Sequence, residues 1–132
     1  MDTDGQMLAA VEVGAEHGCL VVRDTESEGD TSGWDPREQP WLVDRGSAIF
    51  AVRPATEGTV RCEVWRDAAV DELPHEMFNE VFTIGAALFV GDPSGVASIV
   101  LPDTRGVRTV RVLVDDPDWP AQVQVVVTRG DR

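Results

Sequence analysis

At 132 residues the chain has the usual length of one domain, and with 42% hydrophobic residues it can bury a single core. Its net charge of −13, with no lysine and eleven scattered arginines, argues against direct nucleic-acid binding, which needs clustered cations to displace counterions. No apolar run approaches the roughly 18–20 residues that span a bilayer. The acidic start Met1-Asp2-Thr3-Asp4 is the reverse of a basic signal-peptide start, so a cytoplasmic protein off the membrane is expected.

In chain order, Leu8 to Val13 and Cys19 to Arg23 are short apolar runs separated by Gly14-Ala15-Glu16-His17-Gly18, and read as two strands joined by a turn. Asp24 to Gly33 is polar and acidic. Trp34 to Arg45 follows, with Pro36 and Pro40; those prolines allow no more than one helical turn, around Arg37 to Leu42. Together these residues predict a mobile acidic loop at about 24–46. Ser47 to Arg53 begins the regular part. Thr59 to Arg66 alternates, with Val60, Cys62 and Val64 on one face and Arg61, Glu63 and Trp65 on the other, the period of a half-buried strand. Asp67 to Phe78 is a polar connection. Val81 to Ile84 and Ala87 to Val90 flank Gly85, and Gly91-Asp92-Pro93-Ser94-Gly95 is a turn leading into Val96 to Leu101.

The last two strands are Arg108 to Val114 and Ala121 to Thr128. Val110, Val112, Val114, Val123, Val125 and Val127 should line the core, with Thr109, Arg111, Gln122 and Gln124 facing water. Eight or nine short strands with turns every eight to twelve residues predict an all-β fold, an antiparallel β-sandwich over residues 1–132 as a single domain. A small antiparallel barrel is the alternative.

No catalytic signature is present. His17 and His75 sit in predicted loops with no nucleophile motif nearby, so the chain reads as not an enzyme. Cys19 and Cys62 read as buried thiols, and two Cys with two His lack the paired spacing of a zinc site. No cofactor and no metal are therefore assigned. Asp24, Glu26, Glu28, Gly29, Asp30 and Asp35 overlay loosely on a calcium loop, and Asp115, Asp116 and Asp118 form a second acidic turn. A calcium- or small-ligand-binding module is accordingly the second functional reading. The first rests on Glu26, Glu28, Asp30 and Asp35 beside Trp34. Carboxylates steer a cationic partner while tryptophan supplies rigid contact area, a combination suited to a basic protein surface.

The order of these features also carries a resemblance. A strand ending in Asp24 precedes Trp34, a Gly46 turn enters Ala48-Ile49-Phe50-Ala51-Val52, and Gly58 leads a valine-rich strand. Val81-Phe82-Thr83-Ile84 and Leu101-Pro102 then come before a late strand pair. Over residues 17–128 the chain resembles the competence protein J family, whose named member inhibits a DNA-entry nuclease. It departs from that family in having no tyrosine for a Gly-Asp-Tyr type turn, and in the Asp103 to Gly106 stretch after Pro102. The resemblance implies an inhibitor or immunity factor for a nuclease.

Overall fold

Two five-stranded sheets face each other across one valine-rich layer. The computed structural model describes residues 5–95, 97–102 and 104–129, so the Met1 to Asp4 start, Val96 and Asp103 lie outside the described residues. The strands are β1 (Gln6–Val13), β2 (Cys19–Asp24), β3 (Trp41–Asp44), β4 (Ser47–Ala51), β5 (Val60–Arg66), β6 (His75–Ile84), β7 (Leu88–Gly91), β8 (Ser98–Leu101), β9 (Gly106–Val114) and β10 (Gln122–Arg129). One sheet has the order β1-β5-β10-β9-β6 and the other β3-β4-β2-β7-β8. The all-β sandwich is therefore observed, and the two separate sheets do not close into the alternative barrel.

Several expectations need correction. Ten strands are described rather than eight or nine. The additional one, β3, pairs antiparallel with β4 in the stretch expected to be loop or a helical turn. The turn between them is Arg45-Gly46, with φ of 44° and 79°. Two successive positive φ values are the signature of a tight hairpin turn, and glycine at the second position makes it accessible. Strand β6 begins at His75, so the polar connection is shorter than it looks. Pairing is not wholly antiparallel, because β5 and β10 run parallel, with Cys62 opposite Val123 and Val64 opposite Val125. No crossover helix is needed for that pair, since the chain between them passes through four other strands.

The turn after Val13 and the turn at Gly85 both carry the chain from one sheet to the other, so β1 does not pair with β2. The core takes the predicted stripes. Val60, Cys62 and Val64, Val110, Val112 and Val114, and Val123, Val125 and Val127 meet Leu20, Val22, Ala48, Phe50, Leu88 and Val90 from the other sheet. Phe50 and Phe78 pack edge to face at 6.0 Å, and Trp41 leans on Phe78 at 5.3 Å. Trp41 thereby folds against the core.

Outside the first sheet, residues 67–74 cover the face that alternation assigned to water. Ala69 and Leu73 pack with Trp65, Leu113 and Val126 in a small second cluster. Gln124 is buried beneath them at 6% exposure, contrary to expectation. Its side-chain oxygen accepts from Leu73 N at 2.9 Å, and its Nε2 donates to Asp71 O at 3.0 Å. A buried amide with both ends occupied holds the covering segment down.

Candidate functional site

The acidic segment leaves β2 at Asp24, whose side chain is buried and accepts hydrogen bonds from Gly85 N at 3.0 Å and Ala86 N at 3.4 Å. That carboxylate ties the root of the segment to the turn between β6 and β7. Thr25 N donates to Ala87 O, and the Ser27 hydroxyl donates to Arg45 O while accepting from Gly29 N. Asp30 N donates to Asp44 Oδ2 at 2.7 Å, and Arg45 donates to Glu28 O at 3.1 Å. Gly29 passes so close to β3 that an added Cβ would lie 1.9 Å from Asp44 O. The first part of the segment is thus stitched to the β3–β4 turn, a more fixed arrangement than the free loop expected. Further on, Asp35 accepts from Arg37 N, and Glu38 N and Gln39 N return to Asp35 O, giving one turn before β3.

Beneath this segment runs a groove of about 610 Å³ on the outer face of the second sheet. Its floor is Cys19, Val21 and Arg23 of β2, Ser47 and Ile49 of β4, and Phe89 of β7. Trp34 and Pro36 form one wall, and His17 and Pro93 also line it. Cys19 and Val21 point away from the core yet are only 5% and 7% exposed, because the segment arches over them. The Arg23 guanidinium lies over the Phe89 ring at 4.9 Å, a cation–π contact. Trp34 is half-buried, its indole N–H donating to Gln39 O at 3.0 Å. It lies over the sheet face, in the lining of the groove.

The five residues singled out from sequence are therefore neighbours on one surface but not equivalent. Glu26, Glu28 and Asp30 are exposed, and among the described residues none forms an ion pair. Asp35 is paired with Arg37 at 3.1 Å. Hydrogen bonds from the Ser32 side chain and backbone, helped by the Arg45 charge, hold the Asp30 carboxyl below its ordinary value. Side-chain and then backbone hydrogen bonds from Arg37 do the same for Asp35. Both carboxylates thus stay ionised into mildly acid solution. Arg23, Phe89 and Pro93 of the groove were not singled out from sequence, and His17 was weighed there only as a catalytic group. Only the outward parity of Arg23 beside Cys19 and Val21 hinted at its position.

The acids proposed for calcium are engaged in other work. Asp24 serves the Gly85 turn, while Asp115 Oδ1 accepts from Asp116 N, Ala121 N and Gln122 N, and Asp116 Oδ1 accepts from Asp118 N. Among the described residues, no group of three or more His, Cys, Asp or Glu side chains is placed to hold a metal ion. His17 lies in the turn after β1, and His75 opens β6. Both cysteines are buried free thiols, and burial, reinforced by the Glu63 charge, pushes the Cys62 thiol up to about 12. No helix of the described residues is long and apolar enough to cross a membrane.

Comparison with known proteins gives a fold likeness. No protein-family model matches the chain, and no curated protein matches its sequence. Among solved structures, it is similar to ComJ from Bacillus subtilis, an inhibitor of the DNA-degrading activity of NucA. The TM-score is 0.71 at 7% identity, with 96% of this chain and 98% of that chain covered. The strand order read from the sequence thus has its counterpart in three dimensions.

Proposed function

We propose that this protein is a non-enzymatic inhibitor or immunity factor that binds a basic, DNA-degrading nuclease through its acidic segment. The observation that carries the reading is the exposed row Glu26, Glu28 and Asp30, none of them in an ion pair among the described residues, beside the groove walled by Trp34. Nucleases bind phosphates, so their active sites are commonly cationic, and a fixed negative surface competes for that site and accelerates encounter. The fold likeness to an inhibitor of a DNA-degrading enzyme supports the choice of a nuclease among basic proteins. Asp35 joins the same surface. Its pair with Arg37, whose side chain is 89% exposed, is screened by solvent, so a partner's guanidinium can take its place. Trp34 supplies the apolar anchor. A charge of −13 disfavours nucleic acid and anionic lipid at the acidic surface, which leaves a protein as its partner.

Affinity capture from the native lysate at low salt, followed by mass spectrometry and a nuclease assay, tests this. A basic nuclease should be retained, and the purified protein should inhibit it. Retention of acidic proteins alone, or a retained nuclease that keeps full activity, would overturn the proposal.

A further inference from the structure

The inner face of the first sheet ends in arginine. Along β5 the inward stripe runs Val60, Cys62, Val64 and then Arg66, and along β10 it runs Val123, Val125, Val127 and then Arg129. Along β9 the stripe begins with Arg108 and continues Val110, Val112, Val114. These three strands are neighbours, with Arg129 directly opposite Arg108 and Arg66 opposite Val127. The arginines therefore converge on one end of the space between the sheets. A groove of about 570 Å³ opens there, lined by them with Leu8, Asp67 and Val127 among others. It shares no lining residue with the groove under the acidic segment.

Like charges placed directly opposite each other across an antiparallel ladder are destabilising unless something offsets them. Arg37, Arg45, Arg61 and Arg111 each have a carboxylate within 4 Å, whereas Arg23 and Arg53 are met by the Phe89 ring and by Thr59 O, and none of these six faces another arginine across a ladder. Among the described residues, Arg66, Arg108 and Arg129 have no such carboxylate, and Arg66 makes only a long 3.4 Å hydrogen bond to Gln6. The acids that set the net charge do not cancel this cluster at a distance, because fields are screened within about 8 Å at physiological salt. A guanidinium offers a rigid fork of donors matched to oxyanions, and several forks around one space suit a doubly charged ligand with three or more oxygens. The volume lies within the range of small-molecule sites, about 300–1,000 Å³, and leaves room beyond the oxyanion for an organic group against Leu8 and Val127.

We propose that this groove binds a small phosphorylated ligand, its phosphate held by Arg66, Arg108 and Arg129. Asp67 also lines the groove but forms no ion pair with these arginines among the described residues, so the phosphate dianion supplies their counter-charge. The inference goes beyond the binding of a nuclease and stands if that reading fails.

Thermal unfolding of the full chain tests it, in millimolar inorganic phosphate against chloride and acetate at matched ionic strength. Phosphate should raise the midpoint above both. Arg108→Gln and Arg129→Gln should each weaken phosphate at least about tenfold, the scale of one lost charge-assisted bond. Without phosphate, both variants should melt at or above the wild-type midpoint, because the opposed charges are relieved. Arg66→Gln gives a third reading from a separate strand. The proposal is overturned if phosphate does no more than chloride, if acetate equals it, or if the variants respond to phosphate as the wild type does. A lower midpoint for the variants in chloride would also overturn it, by revealing a partner for these arginines within the fold.

Discussion

Asp24→Ala probes the root of the acidic segment. The wild-type carboxylate is 7% exposed and receives the Gly85 N–H at 3.0 Å, with the Ala86 N–H at the outer limit of hydrogen bonding, 3.4 Å. Removing it leaves the nearer donor without an acceptor in a partly buried turn, and a hydrogen bond to a charged group contributes about 1.5–3 kcal/mol. The longer contact adds little, so a loss of about 2–3 kcal/mol is expected. For a chain of this length each kcal/mol moves the midpoint by roughly 3–4 °C, which gives a fall of roughly 6–12 °C. Asp24→Asn keeps one acceptor oxygen in place and should lose about half as much. Urea unfolding followed by tryptophan fluorescence reads both variants. A change below about 0.5 kcal/mol for Asp24→Ala would show that the carboxylate does not hold the turn.

Two further outcomes follow from the covered face of the first sheet and from the core. Burial alone would raise the Glu63 carboxyl, but hydrogen bonds from Trp65, Arg61 and Gln124, with the Arg61 charge, bring it below its ordinary 4.5. A depressed folded value means the stabilisation is complete above 4.5 and disappears as pH falls through the lower folded value. Glu63→Gln should therefore flatten the acid limb of the stability profile below pH 4.5, and an unaltered acid limb would remove Glu63 from that role. Cys62, held at about 12, should react with a disulfide reagent only as fast as the chain unfolds. Rapid modification under native conditions would contradict its burial.

The strands that bury one face were legible because Val60 to Val64 and Val110 to Val114 alternate without interruption. Strand β3 was not legible. Trp41, Leu42 and Val43 follow Pro40, and the two-residue turn that pairs them with β4 carries Arg45 where Asn or Asp before glycine would signal a hairpin. Gln124 misled for a related reason. Its parity places it outward, as the alternation says, but residues 67–74 fold over it and turn an outward position into a buried one. The parallel pairing of β5 with β10 likewise leaves no local trace, since valine stripes look alike in either direction. At the candidate site the exposure of Glu26, Glu28 and Asp30 matched their composition. The stitching of Ser27 to Asp30 against Asp44 and Arg45 did not show, because it rests on backbone donors and on the close approach of Gly29. Arginine at the ends of three valine stripes was visible in sequence, but only strand order makes those ends adjacent.

The most direct test of a steering surface is the association rate with the nuclease retained in affinity capture. It should be measured for the wild type and for Glu26→Gln/Glu28→Gln/Asp30→Asn at about 0.05 M and about 0.5 M salt. The wild type should associate at least about tenfold faster at the lower salt, and the triple variant should lose most of that advantage while folding normally. Equal rates for the two proteins at low salt, or a wild-type rate indifferent to salt, would contradict the account.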